Sequence, residues 1–197
     1  MFFRMNKTIL QMMRDRGYEV DQKALEATIE QFRANCGSSF SPTSLTKVYR
    51  NKNGDRILVC FDPIDRVDTK TLAMLTQKMH DTNVTHMVLV ARPGILTPIA
   101  ARAIEKIKSS GLVIDYFDYD EVIINVTEHE LVPKHEILSD EEKGQVLQQY
   151  NVNDTQLPRI PRADPVCRYF GASPGQLIRI TRDSQTAGKY VTYRLVF

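Results

Sequence analysis

The sequence predicts an α/β unit with a small mixed sheet, followed by a smaller α+β unit. Three observations carry this. Strand-like and helix-like stretches alternate between residues 45 and 126, the pattern of a layered α/β fold. The charge changes after Gln156: seven basic residues face two acidic ones from there to the end, whereas the first 138 residues hold eighteen of each. The last strand alternates, with Val191, Tyr193 and Leu195 facing one way and Thr192, Arg194 and Val196 the other.

Each element has its own signal. Met5, Ile9, Met12 and Met13 recur at helical spacing over 5–16, and Gly17 stops that helix. Asp21 caps a second helix to about Ala34, with Leu25, Ile29 and Phe32 on one face. The run "CGSSFSPTS" is a break. Strands over 45–50 and 56–61 flank Asn53-Gly54, a hairpin turn. Asp68 caps a helix to about Asp81 through Leu72, Leu75 and Met79. "HMVLVA" (86–91) is continuously apolar, so both its faces are expected to be covered. Thr97 and Pro98 open a helix to about Lys108, because proline suits the first helical position. Strands are expected at 112–117 and 122–125, and "TEHELVPKHEIL" (127–138) reads as a connector. Ser139 and Glu142 form a capping box for an acidic helix to about Tyr150. Asp164, Pro165 and Gly171 bracket a short helix, and strands follow at 176–182 and 189–196, joined by "DSQTAGK".

Composition narrows the function classes. An apolar fraction of 42% permits a core, and the net charge of +2 implies no partner by itself. No apolar run reaches the roughly 20 residues of a membrane span. The N-terminus lacks a small-residue cleavage site, so no secretory signal is expected. Cys36, Cys60 and Cys167 are scattered, which argues for reduced thiols inside a cell.

The segments "TEHELVPKH" (127–135), "LPRI" (157–160), "DPVCRYFG" (164–171), "GQLIRI" (175–180) and "SQTAGKYVTYRLV" (184–196) occur in order. Together with "RDRGY" (14–18), "HMVLVA" and "LTP" (96–98), they resemble the small subunit shared by the eukaryotic nuclear RNA polymerases. That family is the fifth-largest subunit of the enzyme and has a smaller archaeal counterpart. The resemblance implies an N-terminal jaw domain (1–126), a connector with a short helix (127–155) and a C-terminal assembly domain (156–197). It implies docking on the largest subunit, association with other polymerase subunits, bracing of downstream double-stranded DNA, and no catalytic role. No cofactor, metal, membrane or small-molecule substrate is expected. The location is the nucleus for a cellular subunit, or the cytoplasmic viral factory and virion for a viral one. The additional Pro-Arg in "IPRADP" (160–165), the short lead before the first helix and the weak match over 36–56 point to a divergent member, such as one encoded by a large cytoplasmic DNA virus.

Two sets of candidate residues follow. In "ARPGILTPIAARAIEK" (91–106), a helix start offers unpaired N–H groups and partial positive charge to a phosphate. Arg92 and Arg102 add charge, while Ile95, Leu96 and Pro98 form an exposed apolar tip; the resemblance puts Thr97 and Pro98 against downstream DNA. The second set lies in 156–176, where Pro158, Pro161, Pro165 and Pro174 each fix φ and so lower the entropic cost of docking. Arg159, Arg162, Arg168 and Arg194 suit bidentate pairing with carboxylates on the largest subunit, and Asp164 and Pro165 set the helix that presents them. Tyr169 and Phe170 fit interface anchors and the domain's own core equally well.

Two other functions compete. A free-standing nucleic-acid-binding protein would use the basic end with Tyr169, Tyr190 and Tyr193 as stacking platforms. A metal-dependent nuclease would use "FDPIDRVDTK" (61–70), with Asp68 as a metal ligand and Lys70 beside the attacking water. Asp68 is better used as a helix cap. The histidines have no metal-binding spacing, and "GASPG" lacks the lysine and serine of a phosphate loop.

Overall fold

The computed structural model describes residues 1–36, 40–61, 65–184 and 188–197. It falls into two compact units, Met1–Ile124 and Asn125–Phe197. Asp62–Ile64 and parts of the "CGSSFSPTS" and "DSQTAGK" stretches lie outside the described residues.

In the first unit, α1 (Phe2–Asp15), α2 (Gln22–Glu26) and α3 (Ile29–Cys36) precede β1 (Lys47–Arg50) and β2 (Arg56–Phe61). Then come α4 (Thr69–Asp81), β3 (His86–Ala91), α5 (Pro98–Lys108), β4 (Val113–Asp118) and α6 (Tyr119–Ile123). The sheet order is β1-β2-β3-β4; β1 and β2 are antiparallel, and the other pairs are parallel. This is the expected mixed sheet: a tight hairpin permits the antiparallel pair, and the parallel pairs need helical crossovers.

Both faces of β3 are covered. Met87 and Leu89 join Leu58, Cys60 and Ile114 under Leu72, Leu75 and Met79 of α4 and Ala100 and Ile104 of α5. Val88 and Val90 share the opposite face with Val59, Phe61 and Asp115 by register. Arg16, just past α1, bonds to Asp115 on that face. Met5, Ile9, Met12 and Met13 of α1 are buried. Each buried side chain of this size contributes roughly 1.5–3 kcal/mol.

Three local details differ from expectation. The second helix is two helices, because Thr28 starts a new one: Thr28 Oγ1 accepts from the Gln31 N–H (3.3 Å), and Gln31 Oε1 accepts from the Thr28 N–H (2.9 Å). Leu45 belongs to a 3₁₀ turn (Pro42–Leu45), so β1 is shorter than 45–50. The expected strand at 122–125 is α6: Asp118 and Glu121 form a capping box, and the helix buries Tyr119 and Val122. A capping box specifies a helix start and overrides the β preference of Val122-Ile123-Ile124.

The second unit contains β5 (Lys134–Ile137), α7 (Asp140–Tyr150), β6 (Arg159–Ile160), α8 (Pro165–Phe170), β7 (Leu177–Ser184) and β8 (Gly188–Val196). The order is β5-β7-β8-β6, antiparallel except that β6 runs parallel to β8. Residues 127–155, read as a connector, are structural parts of this unit. Glu136 pairs with Arg179 in the β5–β7 ladder, and Val146 of α7 packs on Leu138 and Leu177. Cys167 of α8 packs on Ile160, Ile178, Ile180 and Val196. By strand register these clusters lie on opposite sheet faces, so two helices sandwich the sheet. That gives so short a segment a larger core than the last 42 residues alone would have.

Candidate nucleic-acid and partner interfaces

The first candidate surface sits where β2 and β3 end and α4 and α5 begin. After Ala91 the chain turns at Gly94, whose φ of 78° suits glycine. It then runs beside Val67: the Val67 N–H donates to Ile95 O (2.9 Å) and the Thr97 N–H donates to Val67 O (3.2 Å). The Thr97 hydroxyl also donates to Val67 O (3.0 Å) and accepts from the Ala100 N–H (3.2 Å). Thr97 is therefore both a cap and a tie between the two crossover loops.

This changes the expected phosphate site. Pro98 has no N–H, the Ala100 N–H is taken by the Thr97 hydroxyl, and the Ala101 N–H by Thr97 O (2.9 Å). Among the described residues, the Ile99 N–H is the donor left over in that turn. The expected apolar tip is corrected too. Ile95 and Leu96 are partly buried against the α4–α5 core, while Pro98 and Ile99 stand exposed, Ile99 at 68%. The core stripe of α5 is Ala100 and Ile104, and Ile99 lies off it. A helical wheel was signal enough to find it.

Arg92 and Arg102 are exposed. Arg92 lies 3.7 Å from the nearly fully exposed Asp65, a pair worth little in water. Arg66, exposed and next to Val67, adds a cation that the sequence reading missed. Its placement depends on the Val67–Leu96 bridge, a long-range pairing with no local signature. Tyr116 supports the loop: its hydroxyl is 2.7 Å from Asp118 Oδ1 and 3.2 Å from Arg92 O. Burial and the Asp118 hydrogen bond push its ionisation upward, so it acts as a neutral donor.

Asp68 caps α4, with Oδ1 accepting from the Thr71 N–H (2.9 Å) and the Thr71 hydroxyl (3.0 Å). These bonds lower its ionisation and use the lone pairs a metal would need. Among the described residues no group of three acidic, His or Cys side chains is arranged to hold a metal.

The second candidate surface is built around α8. Asp164 Oδ1 accepts from the Val166 N–H (2.9 Å), Pro165 occupies the first turn, and Gly171 closes the helix in the left-handed region (φ 66°). Val166, Cys167 and Tyr169 face inward. Burial, with the nearby Asp164 carboxylate, pushes the Cys167 thiol up to about 11.

Tyr169 belongs to the core. It is 2% exposed, and its hydroxyl lies 3.2 Å from Nδ2 of the buried Asn125. Asn125 Oδ1 in turn accepts from the Thr127 N–H (2.9 Å) and hydroxyl (2.7 Å). Tyr169 thus secures the beginning of the unit and offers no surface to a partner. Phe170 is half-buried, edge-on to Tyr169 at 5.2 Å.

The arginines are divided between faces. Arg159 pairs in register with Leu195 and shares the α7 side. Arg194 lies opposite Ile178 on the α8 side, the side of Arg168's helix. Arg159 is exposed; Arg162, Arg168 and Arg194 are half-buried. The Arg162 N–H donates to Phe197 O (3.1 Å), and the Phe197 N–H donates to Ile160 O (3.1 Å), which pins the chain end beside β6.

The fold and these surfaces define a two-unit binding protein whose polar side chains serve largely as caps and ties. Two family models match it: the RNA polymerase Rpb5 N-terminal domain over residues 1–79 and the RNA polymerase Rpb5 C-terminal domain over residues 124–196. A relative from Caenorhabditis briggsae, "DNA-directed RNA polymerases I, II, and III subunit RPABC1", is 37% identical over 98% of this chain and 94% of its own length. The Dictyostelium discoideum protein of the same description is 35% identical over 96% and 93%. "DNA-directed RNA polymerase subunit 5-like protein 1" of Arabidopsis thaliana is 33% identical over 98% and 93%. The chain belongs to the RNA polymerase Rpb5 family.

Proposed function

We propose that this chain is a non-catalytic subunit of a DNA-dependent RNA polymerase. Its second unit docks on the largest subunit, and its first unit steadies downstream duplex DNA. Family membership makes it a component of a DNA-directed RNA polymerase, in the nucleus if the enzyme is a cellular one. The likeness of 37% identity over 98% of the chain carries this reading, because it spans both units.

Docking falls to the face bearing Arg162, Arg168, Phe170 and Arg194, with Arg159 at the rim. Asp164 and Pro165 hold the helix that presents them. The DNA contact falls to Pro98 and Ile99, with Arg92, Arg66 and Arg102 around them; Thr97 and Leu96 position this tip from beneath. Such contacts set the position of a duplex and read no sequence. The polymerase chemistry belongs to other chains.

Gentle purification of the tagged chain tests the reading. It should carry very large polypeptides at equal stoichiometry, and Arg162→Glu with Arg168→Glu should lower their recovery. Recovery unchanged by both reversals removes the docking face. A chain that travels without polymerase polypeptides removes the function.

A further inference from the structure

The second sheet ends in an edge that its own chain only begins to use. The Leu195 N–H donates to Pro158 O (2.8 Å) and the Phe197 N–H to Ile160 O (3.1 Å), so odd-numbered residues of β8 turn their backbone groups toward β6. The Val196 N–H donates to Gln176 O (2.9 Å), so even-numbered residues turn toward β7. β6 is two residues long and stops at the pairs Arg159–Leu195 and Ile160–Val196. The alternation continues back along the strand. Lys189, Val191 and Tyr193 therefore aim their N–H and C=O groups at an edge that no strand occupies among the described residues.

The other side of the ribbon is short of support as well. β5 reaches only as far as Thr181, leaving the outer part of the β7–β8 hairpin two-stranded. A two-stranded ribbon is marginal in water. This one also exposes apolar surface, with Tyr190 at 56% and Val191 at 39%.

We propose that this edge of β8 receives an extended acidic segment of a neighbouring polymerase chain as an added strand, continuing the ladder that β6 starts. The inference rests on the reading of the chain as a polymerase subunit. Main-chain bonds would supply affinity, and side chains on alternate faces would set specificity. The charges choose the occupant. Lys189 and Arg194 bound the open stretch and Arg182 lies across from Tyr190, with Asp183 opposite Lys189 as the one carboxylate of the ribbon among its described residues. An antiparallel pairing of two β8 edges would set Lys189 of one copy near Arg194 of the other, and like charges directly opposite destabilise a sheet. An acidic strand meets both cations instead.

Hydrogen–deuterium exchange with single-residue resolution tests this on the full chain, alone and in the purified polymerase. The amides of Lys189, Val191 and Tyr193 should slow by about tenfold or more on assembly, while those of Tyr190, Thr192 and Arg194 are slow in both states. Val191→Pro removes an outward N–H and leaves the β7 ladder intact. It should lower recovery with the polymerase and shift Tm by no more than about 2 °C. Thr192→Pro, which breaks the β7 ladder, should lower Tm. Fast exchange at the odd-numbered amides within an assembled enzyme overturns the added strand but leaves the subunit reading standing. Protection that instead follows the chain's own concentration, with sedimentation as a dimer, assigns the edge to a second copy and overturns the acidic partner. A chain recovered without polymerase polypeptides overturns the inference together with the function beneath it.

Discussion

Arg16 Nη1 lies 3.1 Å from Asp115 Oδ2, an ion pair between residues 99 positions apart. His86 Nε2 is 2.8 Å from the same oxygen. Both members of the ion pair are largely buried, with side-chain exposures of 4% and 14%. The pair fastens the end of α1 to the sheet strand that carries Asp115.

Acid should loosen the first unit through this contact. Burial pushes the Asp115 carboxyl up, but the His86 hydrogen bond and the Arg16 guanidinium outweigh it and hold the group well below the usual carboxylate range. A depressed carboxyl contributes stability above its unfolded pKa of about 4 and loses it as pH falls below that value. Urea unfolding should therefore show stability falling as pH drops below about 4, and Asp115→Asn should flatten that dependence. At neutral pH the same substitution should cost about 3 kcal/mol, because Arg16 is left buried beside a neutral amide.

The Asn125–Tyr169 bond yields a stability effect rather than a docking effect. Tyr169→Phe strips the hydroxyl from a buried amide and should cost about 1–2 kcal/mol in thermal unfolding. Below the melting transition, recovery with polymerase chains should be unchanged. A loss of recovery at full stability would return Tyr169 to the interface.

Thr97 and Ile99 should separate positioning from contact. Thr97→Ala removes the cap and the bond to Val67 O and should cost about 1–2 kcal/mol, with Thr97→Ser restoring most of it. Ile99→Ala should stay within about 0.5 kcal/mol of the parent, since the side chain is exposed. In the assembled enzyme it should weaken retention of downstream duplex. Arg102→Gln should lower the salt slope of that retention by at most about one.

The thiols offer a clean check on burial. Cys60 and Cys167 are both fully buried, and Cys167 is pushed up to about 11. In a Cys36→Ser chain at pH 8, a disulfide reagent should find neither thiol within minutes, then both on unfolding, because thiolate and access are each lacking in the folded state.

Much of the architecture was legible in local signals. Asp68, Thr97, Ser139 and Asp164 each cap the helix expected of them, and "HMVLVA" announced a strand covered on both faces. The misread stretches also held local signals, but competing ones. Val122-Ile123-Ile124 has β preference, and the Asp118–Glu121 box wins over it. The candidate sites were less legible. Arg66 comes beside the DNA-facing loop only through the Val67–Leu96 bridge, and Tyr169 turns inward because Asn125, 44 positions earlier, meets its hydroxyl.

Where helices start, which strands are apolar on both sides, and the family to which the chain belongs all follow from the order of residues alone. Those properties depend on neighbours within a few positions or on the succession of motifs along the chain. Folding in three dimensions was needed to show that residues 127–155 complete the second unit, that the arginines divide between two faces, and that β8 keeps an open edge. Each of these depends on which strand pairs with which, and in what register. Pairing is settled by long-range burial and hydrogen bonding, which leave no spacing in the sequence to read.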